Sequence, residues 1–429
     1  MDIEGLHPAD VADQLQRMPV ASAREALLRL SKTDAAAVLT ELDEELRPRL
    51  LEGLSAAELA GIISELDHNA AADVVAELPK EKRPEVMAAL PSDEKAQVST
   101  LLVHRPDTAG GIMSDQFIRL HTSQTVEECL RLLQGRAEES DTGISYLYVT
   151  DDGGRLVGIV SMRDLVFRGG QRLIGEVMSR DVKHLSVDDD QEKLAQLFER
   201  YHYLALPVLD HEGRLVGVVS AQQVMDVIKE EATEDMQLMV GLSGEERALT
   251  PWQQSIRGRL PWLCINLATA FLAAAVVGFF EGTIAKWTAL AVFLPIVAGQ
   301  GGNAGVQTLT VIIREMALGE MNPGDGKKAL IKETILGVLN GLAIGVLVGV
   351  VGYVWKGSIM LGVIVGAAML LNMVAAALSG VLVPYTLKAL RIDPALASSI
   401  MVTTVTDVAG FFFFLGLAAL AMHWWPVHL

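Results

Sequence analysis

The sequence contains few cysteines, few aromatic residues and, over its second half, few charges. Two cysteines occur among 429 residues, and the long separation of Cys129 and Cys264 argues against a disulfide framework. The start MDIEGLHPAD is acidic and polar, so it predicts no cleavable signal peptide. The net charge of −18 leaves no surplus of lysine and arginine for phosphate, which argues against nucleic acid as a partner.

The charge is divided very unevenly along the chain. Ten basic and seven acidic residues follow Thr250, a net charge of +3, which leaves −21 for the first 250 residues. A surface this acidic attracts cations. The sequence therefore predicts an acidic, water-exposed first half and a nearly uncharged second half.

Five long apolar stretches make up most of the second half. They lie approximately at 260–280, 287–313, 334–355, 357–387 and 394–424. About 20 apolar residues cross the hydrocarbon core of a bilayer, so each stretch is long enough to span it. If the first half is cytoplasmic, eight of the ten basic residues are cytoplasmic and only Lys286 and Lys356 lie outside. This asymmetry predicts a multi-pass protein with its C-terminus outside, and the expected location is the inner (plasma) membrane. The aromatic cluster at 423–425 lies where an interfacial anchor is expected.

The first half contains two internal repeats. Residues 1–108 carry short amphipathic units that end on a proline, as in ADVADQLQRMP and ADVVAELP, which predicts a small superhelix of stacked helical hairpins. Further on, residues 112–166 and 177–225 share an M-S start, a capped helix, a strand, a glycine turn and the motif GRLVGxVS. This second repeat resembles a tandem pair of CBS domains, which bind ligands in the cleft between two copies.

The CBS resemblance implies one adenine-nucleotide site. In such pairs an aspartate on the last helix holds the ribose, and the first copy supplies Arg163 and Asp164 in GIVSMRDL. Tyr146 is placed to stack on a base. The second copy reads GVVSAQQV and lacks the aspartate. ATP is therefore a candidate ligand of the first copy, and a structural CBS pair with an empty cleft is the alternative.

Two motifs of the second half carry polar groups at membrane depth. PIVAGQGGNAGVQ (295–307) places a proline, four glycines and Asn303 in the second stretch. Such backbone is tolerated in a membrane where it packs closely or lines a water-filled path. VTTVTDVAG (402–410) places Asp407 in the fifth stretch. A carboxylate at the centre of a span costs about 2.5–3.5 kcal/mol, which predicts that Asp407 faces a polar interior and serves an ion path.

Together these features resemble the MgtE family of magnesium channels over essentially the whole chain. The resemblance implies a multidomain fold with an all-α superhelical N domain, a tandem pair of α/β CBS domains, a long connecting (plug) helix and an all-α membrane domain of five transmembrane helices. These parts correspond to residues 1–108, 109–170 and 171–228, 229–256, and 257–429. The family is one of channels and not of enzymes. Its members are homodimers whose pore runs along the twofold axis.

The resemblance also assigns the pore residues. An aspartate of the fifth span, here Asp407, holds hydrated Mg²⁺, and the asparagine of the family matches Asn303 beside Gly301 and Gly302. Thr403 lies one turn before Asp407 and supplies hydroxyl and carbonyl oxygens. Because Mg²⁺ gives up its waters reluctantly, two symmetry-related carboxylates suit the hydrated ion as a filter.

Members of the family close their pore when cytosolic Mg²⁺ binds between the N domain, the CBS pair and the connecting helix. The acids of this chain that match are Asp67, Asp190, Glu192, Asp226, Glu231, Glu234, Asp235 and Asp393. Bridging Mg²⁺ would neutralise acidic faces that otherwise repel each other. Gln223 and His202 stand where better-known members have aspartates, which predicts weaker sensing of Mg²⁺.

Three alternative functions compete with a Mg²⁺ channel. The first is a transporter of the same fold for Co²⁺, Mn²⁺ or Ni²⁺, although softer metals favour His or Cys ligands, which the spans almost lack. The second is a CBS-regulated anion transporter, against which the acidic half and Asp407 argue. The third is an enzyme with a membrane anchor, for which five spans are excessive.

Overall fold

The computed structural model describes residues 6–43, 46–136, 146–168, 170–244, 246–248, 250–319, 321 and 324–424. Trp425, part of the expected aromatic anchor, lies outside these residues. The chain forms two compact units, one within residues 1–229 and the other within 230–429.

The first unit begins with short amphipathic helices. These are α1 (Pro8–Gln16), α2 (Val20–Arg29), α3 (Lys32–Glu41), α4 (Leu46–Glu52), α5 (Ala56–Ile63), α6 (His68–Glu77), α7 (Arg83–Ala89) and α8 (Ser92–Leu101). Most of them pack against the next helix but one, as α1 on α3 and α6 on α8. Local capping fixes several starts, as where Ser55 and Glu58 form a capping box at α5. The arrangement confirms the predicted stack of helical hairpins.

The two CBS-like repeats fold in the same way. The first contains α9 (Ala109–Ile112), β1 (Arg119–His121), α10 (Val126–Arg136), β2 (Tyr146–Thr150), β3 (Leu156–Ser161) and α11 (Met162–Phe167). The second contains α12 (Ile174–Val177), β4 (Leu185–Ser186), α13 (Gln191–Tyr201), β5 (Ala205–Leu209), β6 (Leu215–Ser220) and α14 (Ala221–Met239). In each repeat the first strand pairs in parallel with the second, and the second pairs antiparallel with the third.

The hairpin turns of the two repeats use the same chemistry. Oδ1 of Asp151 accepts hydrogen bonds from the backbone N–H groups of Gly153 and Arg155, and Oδ1 of Asp210 accepts them from Glu212 and Arg214. The glycine that closes each turn has a positive φ, 78° in the first repeat and 79° in the second, which a side chain would disfavour. The predicted glycine turns are therefore confirmed in both copies.

Helix α14 ends earlier than its acid-rich sequence suggests. A connecting helix is predicted over 229–256, but α14 ends at Met239, and Gly241 follows with a φ of 78°. The N–H of Gly241 donates to the carbonyl of Leu238, which closes the last turn. The proposed connecting segment 229–256 therefore holds the end of one helix, a turn and the start of the next.

The second unit consists mainly of long apolar helices. They are α15 (Trp252–Phe279), the short α16 (Glu281–Lys286), α17 (Ala289–Ala317), α18 (Asp325–Lys356), α19 (Ile359–Ala389) and α20 (Ser398–Trp424). Within the described residues, five of them are long and apolar enough to cross a membrane, which confirms the predicted number of spans. Helix α17 is continuous through Pro295 and the four glycines, so this motif packs closely and does not break the helix.

Backbone contact between glycines joins α18 to α19. A Cβ atom at Gly362 would lie 2.5 Å from the carbonyl oxygen of Gly349, and one at Gly366 would lie 2.8 Å from that of Gly345. Small residues of this kind let membrane helices approach until their backbones touch. Helix α19 also packs on α17 and α20, so it occupies the centre of the bundle.

We expect Gly362→Ala to destabilise the membrane unit. The added methyl group would overlap the Gly349 carbonyl, and separation of α18 from α19 should lower the free energy of unfolding by about 1–3 kcal/mol. Thermal unfolding of the full chain in detergent measures the change. Gly278→Ala is the matched control, because no atom lies within 4 Å of the Cβ position there. Equal losses of stability in the two variants would contradict the close contact.

Candidate ion-conduction and regulatory sites

Asp407 lies near the middle of α20 and is partly exposed on the surface of the single chain. No ion pair or hydrogen bond to its carboxylate is found within the described residues. The next polar groups along the helix are threonines whose hydroxyl groups already donate hydrogen bonds to backbone carbonyls. Thr403 Oγ1 donates to the carbonyl oxygens of Ser399 and Ile400, at 2.9 and 3.1 Å. A hydroxyl bound in this way offers only its lone pairs to a neighbour, which suits a cation or its water shell.

Helix α17 presents a polar stripe on its exposed side. Its members recur at helical spacing and are Gln300, Asn303, Gln307, Thr310 and Arg314. Polar side chains on a lipid-facing surface would be costly, because lipid offers no hydrogen-bond partners. The stripe therefore requires a polar path or a protein partner along this side of α17.

The glycines of the second span bring α17 close to its neighbours. A Cβ atom at Gly302 would lie 3.6 Å from Thr403 Cγ2, and one at Gly305 would lie 2.5 Å from Val402 Cγ1. Gly301 faces another way, since its Cβ position lies 2.2 Å from Nδ2 of Asn372 in α19. Of the three predicted residues of the GGN motif, two are thus buried packing positions, and Asn303 is exposed.

Two polar side chains of the bundle were missed in the sequence. Asn372 is fully buried, and Glu333 of α18 is 6% exposed. One oxygen of Glu333 accepts a hydrogen bond from Thr308 Oγ1 at 2.9 Å, and the other lies 3.1 Å from Lys332 Nζ. The only sequence signal for either residue is an acid or an amide inside an apolar run.

The start of α20 is tied to the end of α14 within the second unit. The N–H of Ala397 donates to the carbonyl of Leu238 at 2.8 Å, and Ser399 Oγ donates to that of Met239 at 2.5 Å. The Leu238 carbonyl thus accepts a second hydrogen bond besides that from Gly241, and the bond from Ser399 satisfies the Met239 carbonyl at the end of α14. Ala397 adopts a φ of 50°, an unfavourable value for a residue with a side chain.

The acids predicted to sense Mg²⁺ are spread over several elements. Asp67 precedes α6, Asp190 caps α13 by accepting from the N–H of Glu192, and Asp226 is exposed on α14. Glu231, Glu234 and Asp235 follow on α14, and Asp393 accepts a hydrogen bond from the N–H of Ala395 at 2.7 Å. No three His, Cys, Asp or Glu side chains gather into a metal-binding group in the part of the chain that the structure describes.

Asp189, next to the predicted ligand Asp190, is kept ionised by its hydrogen bonds. Partial burial by itself would raise the pKa of Asp189, but hydrogen bonds from Lys193 Nζ and from the N–H of Ser186 lower it overall. Asp189 therefore stays ionised beside Asp190, and its charge is paired with Lys193.

The nucleotide candidates of the first repeat lie together. Tyr146 of β2 is the register partner of Ser161, the residue that caps α11. A groove of about 490 Å³ is lined by Ser161, Arg163, Asp164, Phe167 and Arg168. Asp164 accepts a hydrogen bond from Ser161 Oγ at 2.7 Å and pairs with Arg168 at 3.1 Å. The groove thus combines positive charge, an exposed aromatic ring and a carboxylate.

In the second repeat, Gln223 stands at the position that matches Asp164, and its side chain is hydrogen-bonded within the protein. Gln223 Oε1 accepts from the N–H of Ser220 at 2.9 Å, while its Nε2 donates to the carbonyl of Ile112 at 2.9 Å. An aspartate could not make the second bond, because a carboxylate has no donor. His202, the other departure from the family pattern, ends α13 with a φ of 52°.

Three family profiles match the chain. The profile described as the MgtE intracellular N domain covers residues 6–107, the CBS domain profile covers 109–169 and 174–230, and a divalent cation transporter profile named MgtE covers 294–417. Two solved structures are similar to the first half. The cytosolic domain of the Mg²⁺ channel MgtE in complex with ATP is 34% identical, with a TM-score of 0.49 over 52% of this chain and 91% of that one. The soluble part of a magnesium transporter is 29% identical, with a TM-score of 0.40 over 53% and 98%.

Two curated relatives extend the similarity into the second half. The magnesium transporter MgtE of Thermus thermophilus is 36% identical over 333 residues, which are 76% of this chain and 72% of the relative. That of Bacillus subtilis is 30% identical over 421 residues, 98% of this chain and 93% of the relative. Because these identities extend over most of each relative, the chain belongs to the MgtE family of magnesium transporters and is not an enzyme.

Proposed function

We propose that this protein is a homodimeric channel that admits hydrated Mg²⁺ to the cytoplasm. The observation that carries the proposal is the carboxylate of Asp407, which is partly exposed in mid-span without a partner among the described residues. A lone intramembrane acid is costly unless it faces a polar path. The polar stripe on α17, with Asn303 in it, supplies such a path if a second copy or water covers it.

The chemistry of Mg²⁺ agrees with a sparse site. Mg²⁺ keeps several of its waters and is held by one or two carboxylates, so a filter needs no dense cage of ligands. A twofold axis would place two copies of Asp407 around one ion. Thr403 would face the water shell with its lone pairs, because its hydrogen is already bound to the backbone.

The same proposal includes the placement of the chain in the plasma (inner) membrane. The acidic domains, residues 1–108 for the N domain and 109–228 for the CBS pair, are cytoplasmic. The segment 229–256 connects them to the membrane domain at 257–429, and the C-terminus lies outside. The distribution of lysine and arginine supports this orientation.

Asp407→Ala should reduce uptake of Mg²⁺ into proteoliposomes to the level of protein-free vesicles, because the filter loses its only charge. Uptake is followed with a Mg²⁺-sensitive dye inside the vesicles, and unfolding in detergent checks that the variant folds. Glu281→Ala, which removes an exposed acid from the short helix α16, is the control and should transport normally. Wild-type uptake by Asp407→Ala would show that the pore lies elsewhere.

We further propose that cytosolic Mg²⁺ closes the pore by binding to the acidic regulatory residues. The first 250 residues carry a net charge of −21 in each subunit, so a compact arrangement of these domains requires counterions. Mg²⁺ can supply them without a group of three or more ligands, because it binds through its waters. The unbound state would be looser and leave the pore open.

The triple variant Glu231→Gln, Glu234→Gln and Asp235→Asn should need at least about fivefold more internal Mg²⁺ for half-inhibition, the lower end of ordinary coupling between sites. Uptake is measured in vesicles preloaded with graded Mg²⁺. The control neutralises three exposed acids of the N-terminal helices, Glu25, Glu41 and Glu52, which have no assigned role. An equal shift in both triple variants would mean that only total charge matters, and no shift in the first would contradict the assignment.

We propose in addition that the groove of the first CBS repeat binds ATP. Arg163 and Arg168 would face the phosphates, Tyr146 or Phe167 the base, and Asp164 the ribose hydroxyls. The ion pair of Asp164 with Arg168 must then rearrange, since the carboxylate is engaged in the free protein. We expect no equivalent site in the second repeat, because Gln223 stands in place of the aspartate and its side chain is bonded to the carbonyl of Ile112.

Asp164→Ala should weaken the binding of ATP about tenfold or more, as expected for the loss of a hydrogen bond to a charged group. Isothermal titration calorimetry of the full chain in detergent measures the Kd. Gln223→Ala removes the corresponding cap residue of the second repeat and should leave the Kd unchanged. Equal affinities for wild type and Asp164→Ala would exclude this groove.

A further inference from the structure

Asn372 is a polar side chain in the interior of the membrane bundle to which none of the preceding assignments gives a role. It lies near the middle of α19 and has 0% of its surface exposed. Its Nδ2 donates a hydrogen bond to the carbonyl oxygen of Val297 in α17, 2.8 Å away. Within the described ranges, no donor lies within hydrogen-bonding distance of its Oδ1.

Two glycines, Gly301 and Gly410, pack against this amide, and we call this contact its seat. A Cβ atom at Gly301 of α17 would lie 2.2 Å from Asn372 Nδ2, and one at Gly410 of α20 would lie 2.7 Å from the same atom. Each glycine therefore directs a hydrogen, and not a carbon, at the amide. The Cβ position of Gly410 is also 3.3 Å from Oδ1, so a side chain at this position would press on both ends of the amide.

The seat lies beside both candidate pore residues. Gly301 precedes Asn303 by two residues, and Gly410 follows Asp407 by three. Since close-packed interiors respond to a change of a single carbon atom, a change in the amide must displace α17 or α20 near the level of Asp407.

Asparagine at position 372 leaves a buried acceptor unpaired, which an apolar residue would not do. Leucine has a similar shape and would fill an apolar seat without leaving an acceptor unpaired at membrane depth, where an unpaired polar group is destabilising. A local rule broken in this way, with no gain in packing, is typical of a functional position. The hydrogen bond to Val297 supplies what leucine could not, a fixed link between α19 and the segment of α17 just before the GGN motif.

We propose that Asn372 is a positioning residue of the pore. Its amide, held between Gly301 and Gly410, sets the separation of α17 and α20 and thereby the preference for Mg²⁺ over Ca²⁺. The width of the path bears on this preference, because Mg²⁺ keeps its waters while Ca²⁺ exchanges them for a larger and more flexible set of oxygens. This inference rests on the proposed function of Asp407.

The test compares the uptake of Mg²⁺ and Ca²⁺ by full-length protein in proteoliposomes. Asn372→Leu should lower the ratio of the two rates about tenfold, the change that one hydrogen bond of ordinary strength produces in a rate. Gly410→Ala keeps the amide but pushes it aside with a methyl group, and it should change the ratio in the same direction. The double variant Asn372→Ser/Gly410→Ala should change the ratio at least as much as Gly410→Ala alone, because serine also removes the amide that bonds to Val297.

Two variants serve as matched controls. Asn340→Leu makes the same chemical change on an exposed position of α18, and Gly278→Ala adds a methyl where no atom lies within 4 Å. Both should keep the wild-type ratio. A purely structural role of Asn372 would lower the uptake of both ions together and leave the ratio unchanged in Asn372→Leu and in Gly410→Ala, and that result would overturn the proposal.

The outcomes also separate this inference from the proposed function. If Asp407→Ala transports both ions at wild-type rates, the pore lies elsewhere. If Asp407→Ala is inactive but the ratio stays constant across the Asn372 and Gly410 variants, only the positioning role is wrong. Should Asn372→Leu fail to fold, Gly410→Ala and the double variant decide the question.

Discussion

The absence of water from the bilayer core is the constraint on which the second unit depends. Each buried polar group there needs a partner from the protein itself. Thr308 donates a hydrogen bond to Glu333, and Asn372 donates one to the carbonyl of Val297. The threonine hydroxyls of α20 donate to carbonyls of their own helix. Against this background the partly exposed carboxylate of Asp407 is an exception. Within the described residues, the buried polar side chains of the bundle have partners apart from Oδ1 of Asn372, and the exposed polar groups of α17 and α20 lie where an ion path is proposed.

Close contact between helices follows from the same constraint. Lipid tails are as apolar as leucine, so association of the spans depends on packing and on interhelical hydrogen bonds. Gly349 and Gly362 bring α18 onto α19, and Gly305 brings α17 onto α20. The glycines of the second span therefore act first as packing positions. Their importance for conduction would come from where they hold Asn303 and Asp407.

In the acidic half, the two CBS repeats are held by the same local hydrogen bonds. Both CBS repeats close their hairpins with an aspartate and a glycine of positive φ, and both cap the following helix with a serine. The copies differ at the third position of that helix. Asp164 lines an open groove, whereas the side chain of Gln223 is bonded to Ile112, so only the first repeat offers a carboxylate to a ligand at this position.

The sequence by itself determined the order of domains, the five spans and the repeat, and it singled out Asp407 as a candidate pore residue. These features depend on composition, hydrophobic length and short motifs, which are local properties of the chain. The tertiary structure alone decided which polar residues share an environment. The burial and hydrogen bonds of Asn372 and Glu333, and the burial of Gly301 and Gly302 beside an exposed Asn303, arise from contacts between helices far apart in sequence. No local pattern encodes such contacts, because a helix shows which residues share a face but not which neighbour that face will meet.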